Sequence, residues 1–259
     1  MSKEVDKMNL KSAVKYQVLD GKVAIPVFYL VVLCVMALLL VSTSDLGPGG
    51  YVNIGGFEMG TIIFLFILGL NAFRETFRMM IQNGVSRKTM FLSFVILALV
   101  LPLGMSCLNE ILLGIGKAMT AGNDNVTLQS AFEQIYAPRY IENLGTMQVV
   151  LEGLLFTICV SAAAMMLGYF ITTMYYRLNK AGRIAVSVGV PAILIIGLPI
   201  FDAVVTGGAI YRALGQLTLF AMGGPNGYNP YYAMVSSLIA FALLAGLSWM
   251  LVRRAVVKD

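Results

Sequence analysis

NGVSRKTMFLSFVILALVLPLGMSCLN, residues 83–109, decides how this chain folds. An Asn83-Gly84 turn and two cations, Arg87 and Lys88, lead directly into an uncharged run from Thr89 to Asn109. At about 1.5 Å per residue, a helix of that length crosses the ~30 Å of a bilayer's hydrocarbon core. Similar uncharged or nearly uncharged runs lie at 23–44, 59–73, 153–176, 184–201 and 231–252. Extended as far as helical composition persists, the expected spans are 23–44, 57–82, 89–116, 147–176, 184–206 and 231–252.

The basic residues give this serpentine a direction. With the N-terminus in the cytoplasm, 15 of the 18 Lys and Arg residues fall inside, and only Lys117, Arg139 and Arg212 fall outside. The fold class expected is therefore an all-α integral membrane protein. It has six transmembrane helices, cytoplasmic N- and C-termini, and one membrane domain over 1–259, set in the cytoplasmic (plasma) membrane.

Composition agrees. Charged residues are 12% of the chain, half the ~25% of a soluble domain, and mean hydropathy is +0.84. The net charge of +5 sits beside anionic headgroups in this topology, so no nucleic-acid partner is implied and membrane lipid is. Cys34, Cys107 and Cys159 lie apart, within spans, which argues against a disulfide framework or a metal cluster.

Residues 1–22 carry Leu10, Ala13, Val14 and Val18 at helical spacing with Lys11 and Lys15 alongside, the pattern of an interfacial helix. The Gly- and Pro-rich stretch at 44–56 reads as a turn. In the outer segment 117–145, Leu128, Phe132, Ile135 and Tyr136 share a helical face. Residues 207–230 are apolar yet broken by glycines and Pro225, which suggests re-entrant helices before the sixth span. Ala164/Gly168, Ala203/Gly207 and Ala242/Gly246 make small-xxx-small pairs suited to close helix packing.

Recognisable catalytic chemistry is missing. The chain has no His, so histidine-based metal sites, nucleophile–His dyads and histidine proton relays are excluded. No Walker-type phosphate loop is present either. The expectation is a protein that is not an enzyme, with no cofactor of its own. Carboxylates Glu58, Glu110, Glu152 and Asp202 fall in the outer third or at the outer mouth of their spans, not at mid-depth. They are read either as an outer vestibule for cationic cargo or as partners of Lys117, Arg139 and Arg212.

On the stretch NGVSRKTMF (83–91), with a Gly-x-Ser-Arg element before an aromatic residue, the chain resembles bacterial ATP-binding-cassette permeases of the type 2 family. The six spans, cytoplasmic ends and short apolar helices before the last span extend the likeness over the whole chain. It looks most like the compact Gram-positive exporters of antimicrobial peptides, amphipathic toxins and drugs. The resemblance implies a coupling segment at 78–89, comprising Arg78, Asn83, Gly84, Ser86, Arg87 and Lys88, which docks on a separate cassette ATPase. ATP and Mg would sit on that partner, and a second permease, identical or a close paralogue, would complete a dimer around a peptide or hydrophobic cargo. Plain positive-inside anchoring of the same cations is the alternative.

Two rivals remain on sequence grounds: a substrate-binding membrane subunit of an ATP-driven importer, and a non-transporting immunity or sensor protein. A gradient-driven carrier fits less well, because charges at mid-membrane are missing.

Overall fold

A computed structural model describes residues 2–44, 51–122, 125–140 and 147–256, without the side chains of 2–9, 20, 40 and 42–44. The side chains of Lys3 and Lys7, all of Lys258, and parts of the loops at 44–56 and 117–145 lie outside the described residues. Among the described residues the regular structure is helical apart from one pair of short strands. Its helices are α1 (Ser2–Asp20), α2 (Ala24–Ser44), α3 (Glu58–Asn71), α4 (Arg74–Gln82), α5 (Arg87–Thr120), α6 (Ala131–Tyr136), α7 (Met147–Arg177), α8 (Lys180–Thr206), α9 (Ala209–Ala221) and α10 (Pro230–Val252). The strands are β1 (Val52–Gly55) and β2 (Val126–Gln129). Among the described residues, five helices are long and apolar enough to cross a membrane, or six if the bent pair α3–α4 counts as one.

The bundle centres on α7, against which α3, α5 and α10 pack. Hydrocarbon solvates apolar side chains as well as leucine does, so close backbone approach carries much of the cohesion in such a bundle. Here it comes from two glycines. A Cβ on Gly69 would overlap the Met165 carbonyl oxygen, and one on Gly168 would overlap that of Phe66. Gly168 thus does what its small-xxx-small spacing suggests. Gly207 and Gly246 meet nothing within 4 Å of an added Cβ.

Each end of the bundle has its own core. At the end carrying Asn83 to Lys88, called here the elbow end, Phe73, Phe77, Met90, Phe94 and Tyr169 are buried together with Val252 and Ala255. The Phe94 and Tyr169 rings stack with centroids 3.9 Å apart. At the opposite, cap end, Phe132, Tyr136 and Tyr140 bury against Val149 and Phe156 of α7 and Ala233 and Met234 of α10.

Four features differ from the sequence expectations. The candidate spanning helix that opens the bundle runs Leu10–Leu39, so the helix expected at 1–22 continues towards the first span and packs along α5. Its buried positions are Ala13, Gln17 and Gly21, while Val18, placed on the apolar face, is exposed. Secondly, the second span is not straight: α3 and α4 meet at 43°. No Pro or Gly sits at 72–73; the bend follows Phe73, whose ring packs on Phe77, Tyr169 and Tyr176 at 5.0–5.6 Å.

Thirdly, the stretch read as a turn contains β1, which pairs in parallel with β2 from Val52↔Val126 to Gly55↔Gln129. Leu128 therefore lies on a strand, and only Phe132, Ile135 and Tyr136 belong to the cap helix α6. Fourthly, α8 is a chain of α and wide π turns at 185–189, 193–197 and 202–206. These alternate with Pro191 and Pro199, which cannot donate to the carbonyl four residues back, and the wider turns absorb the mismatch. Between 207 and 230 the chain forms α9, entered through consecutive left-handed residues Gly207 (φ 60°) and Gly208 (φ 84°), and a short 3-10 turn at Gly224–Asn226.

Candidate functional site

Two clusters carry the residues singled out by sequence, one at each end. At the elbow, α4 turns Phe77 and Met80 inward and leaves Arg74, Arg78 and Gln82 exposed. It ends in a Schellman turn: Gly84, at φ 75°, donates to the Ile81 carbonyl at 3.0 Å, and Val85 N–H reaches the Met80 carbonyl at 2.9 Å. The Asn83 side chain adds a bond to the Met79 carbonyl at 2.8 Å. Ser86 then caps α5, its hydroxyl accepting from Thr89 N–H at 3.1 Å. The Asn-Gly break is therefore a rigid, fully capped corner between two helices.

Arg87 and Lys88 project from that corner into the open. Arg87 Nη1 donates to the Arg253 carbonyl oxygen at 3.1 Å, satisfying a carbonyl at the C-terminus of α10 that the helix itself leaves unmet. Tyr176 Oη likewise donates to the Val256 carbonyl at 3.0 Å. The elbow, the end of α7 and the end of α10 form one block, with Arg78, Arg87, Lys88 and Arg254 on its surface.

The four carboxylates at the cap end do not gather into one vestibule. Glu152 accepts from Tyr231 Oη at 3.1 Å, from Gln148 Nε2 at 2.9 Å and from the Tyr140 hydroxyl, which ties α7 to the cap and to α10. Burial first, then the hydrogen bond to Glu152, pushes the Tyr140 hydroxyl up to about 12, so it remains a donor. Asp202 accepts from Ile210 N–H at 2.8 Å and Tyr211 N–H at 3.1 Å, capping α9 across the Gly207-Gly208 turn. Both carboxylates are taken up in holding elements together.

Glu58 and Glu110 stand apart from those two and within electrostatic reach of each other. Glu58 is buried at the start of α3, and its Oε2 accepts from Ala131 N–H at 3.0 Å, while its Oε1 has no hydrogen-bond partner. Glu110 is half-buried and lines a cavity of about 160 Å3 together with Lys117, Ser130 and Glu133. Among the described residues no hydrogen bond reaches the Glu110 carboxylate. Lys117 Nζ binds both Glu133 carboxylate oxygens, at 2.6 and 2.8 Å. Lys117 thus pairs with Glu133 and not with any of the four candidates. Arg139 sits over the Tyr140 ring at 5.8 Å, and Arg212 binds the Gly207 and Gly208 carbonyls at 3.0 and 3.2 Å.

Glu133 and a neighbouring polar layer were not anticipated. Glu133 was legible: Ser130-Ala131-Phe132-Glu133 forms a capping box. Below Glu110, Asn109 and Thr61 exchange hydrogen bonds at 3.0 and 3.2 Å, and Tyr29 Oη reaches the Met105 carbonyl at 2.9 Å and Asn109 Oδ1 at 3.3 Å. These residues join α2, α3 and α5, and single polar residues in three separate apolar runs carry no sequence signal of meeting. Chemically, the cap-end cavity offers a carboxylate and a carboxylate–ammonium pair; the elbow offers exposed cations on a rigid corner. No protein-family model, no curated protein and no solved structure matches the chain.

Proposed function

We propose that this chain is the membrane-spanning permease subunit of an ATP-driven exporter, with six spans and both ends in the cytoplasm. Two copies, or this chain and a close paralogue, work with separate cassette ATPase subunits that hold ATP and Mg. The cargo is an amphipathic or hydrophobic peptide, or a drug of similar character, crossing the plasma membrane. The observation that carries this reading is the elbow: Arg78, Arg87 and Lys88 stand exposed on a fully capped corner that is hydrogen-bonded to the end of α10. Membrane anchoring requires cations near the headgroups but no rigid corner. A docking surface requires both.

A second feature supports pairing with another permease. Along helix α8 only Asp202 is buried, and Val188, Ile193, Ile196 and Val204 are each about 60% exposed or more. Such a helix is available to a second membrane subunit.

The test is co-purification of the affinity-tagged chain with a cassette ATPase encoded beside it. Wild type is expected to retain the ATPase, and Arg87→Glu to lose it while still inserting in the membrane. Equal retention by both chains, or concentrative transport by this chain alone in vesicles, would overturn the proposal.

The charged cavity beside Glu110 favours one rival, the substrate-binding subunit of an importer. Saturable binding of a small cationic or zwitterionic solute by the isolated chain, abolished in Glu110→Gln, would support that reading instead.

A further inference from the structure

Two helix breaks meet at one small cavity. The first lies at 21–23, between α1 and α2, and the second at 72–73, between α3 and α4. Gln17, Gly21, Leu68 and Thr76 line about 50 Å3 between them, with Met165 of α7 on the far side.

A residue lining this space carries unmet hydrogen-bonding capacity. Gln17 is 7% exposed, and its Oε1 has no partner. At the bend, Ala72 N–H turns to the Gly69 carbonyl at 3.3 Å. In a straight helix it would serve Leu68, four residues back, so the Leu68 carbonyl is deprived of that donor. Thr76, a buried residue, brings a hydroxyl. An amide carbonyl held out of water without a donor bears its full desolvation cost, and native interiors rarely leave one so. No carboxylate lines the cavity, so a metal cation there would place a full charge among neutral oxygens alone. Water occupies about 30 Å3 per molecule in the liquid and brings two donors and two acceptors.

We propose that this cavity is a water-binding site. One or two water molecules donate to Gln17 Oε1 and the Leu68 carbonyl, exchange a hydrogen bond with Thr76, and bridge the two breaks as a hydrated hinge. The bend between α3 and α4 is then held by replaceable bonds and not by a proline, so the two halves can change angle without stranding a polar group.

Radiolytic footprinting of the full chain in lipid tests this, because radicals generated from a bound water mark the side chain beside it. Met165 is 1% exposed and Met166 0%; only Met165 lines the cavity. In wild type, Met165 is expected to oxidise several-fold faster than Met166, and Gln17→Leu to bring it down to the Met166 rate. Equal rates in wild type overturn the site, whether or not the variant folds. A Met165 rate that changes several-fold when sodium is replaced by choline overturns it too, in favour of a bound cation.

Discussion

Gly168 of α7 lies directly against the main chain of Phe66 in α3, so closely that a Cβ there would overlap the Phe66 carbonyl oxygen. Gly69 makes the reciprocal contact with Met165 a little further along the same seam. Because α3 bears the elbow through α4, and α7 anchors both terminal cores, this seam fixes how the two ends of the molecule are registered.

One substitution should therefore have opposite effects at two glycines. Gly168→Ala overpacks the seam and is expected to destabilise by about 1–3 kcal/mol. Gly104→Ala, where an added Cβ meets nothing within 4 Å, is expected to be neutral or to stabilise by up to about 1 kcal/mol through helix propensity. Thermal unfolding in detergent or lipid distinguishes them. Equal shifts would refute the tight crossing.

The Lys117–Glu133 pair should couple measurably. Glu133 is nearly buried and Lys117 about one-third exposed, with side-chain exposures of 7% and 35%. Glu133→Gln leaves the ammonium without its charged partner and weakens the α6 cap, an expected loss of about 1.5–3 kcal/mol. Lys117→Met in the same chain is expected to recover part of that loss. A double-mutant cycle on cap unfolding reads the coupling; strict additivity would mean that the pair contributes nothing.

Alkali should loosen the cap. Burial pushes the Tyr136 hydroxyl up to about 12, and burial with Glu152 does the same for Tyr140, both from an ordinary 10.0. A raised folded-state value means that the folded cap holds protons the unfolded chain has released. This contribution is complete below pH 10 and is lost as pH climbs through about 12. Phenolate absorbance followed alongside cap unfolding checks it. Tyr140→Phe is expected to reduce the alkaline sensitivity, and no change in that variant would contradict the assignment.

At the elbow, guanidinium geometry should matter and not charge alone. Arg87→Lys keeps the cation, but its shorter, single-headed ammonium is poorly placed to reach the Arg253 carbonyl. The variant is expected to insert normally and to show faster amide exchange over 250–256. Unchanged exchange there would mean that the Arg87–Arg253 bond does not hold the end of α10.

The long apolar helices and the elbow corner were legible, because 89–109 can do little else than span and Asn83-Gly84-Val85-Ser86 spells a helix stop followed by a helix start. The bend at 72–73 was not: Ala72 and Phe73 break no helix by themselves, and the angle follows from where the Phe73 ring finds Tyr169 and Tyr176. The packing of the N-terminal helix was not legible, because Lys11 and Lys15 carry no signal of a contact with α5. Burial of Ala13 and Gln17 along α5 is a tertiary fact. The β1–β2 ribbon pairs two four-residue segments far apart in sequence, too short to announce themselves. Among the carboxylates, periodicity gave depth but no partners, so Glu152 and Asp202 looked equivalent to Glu58 and Glu110. Their different roles depend on Tyr140, Tyr231 and the N-terminus of α9.

Helix α8, with bare flanks along most of its length, would be untenable in water, where each square ångström of such surface costs about 25 cal/mol. Among acyl chains the same surface costs almost nothing. The fold thus presupposes its medium: the lipid acts as a missing wall of the molecule, and extraction into a poor substitute should disturb α8 before any other span.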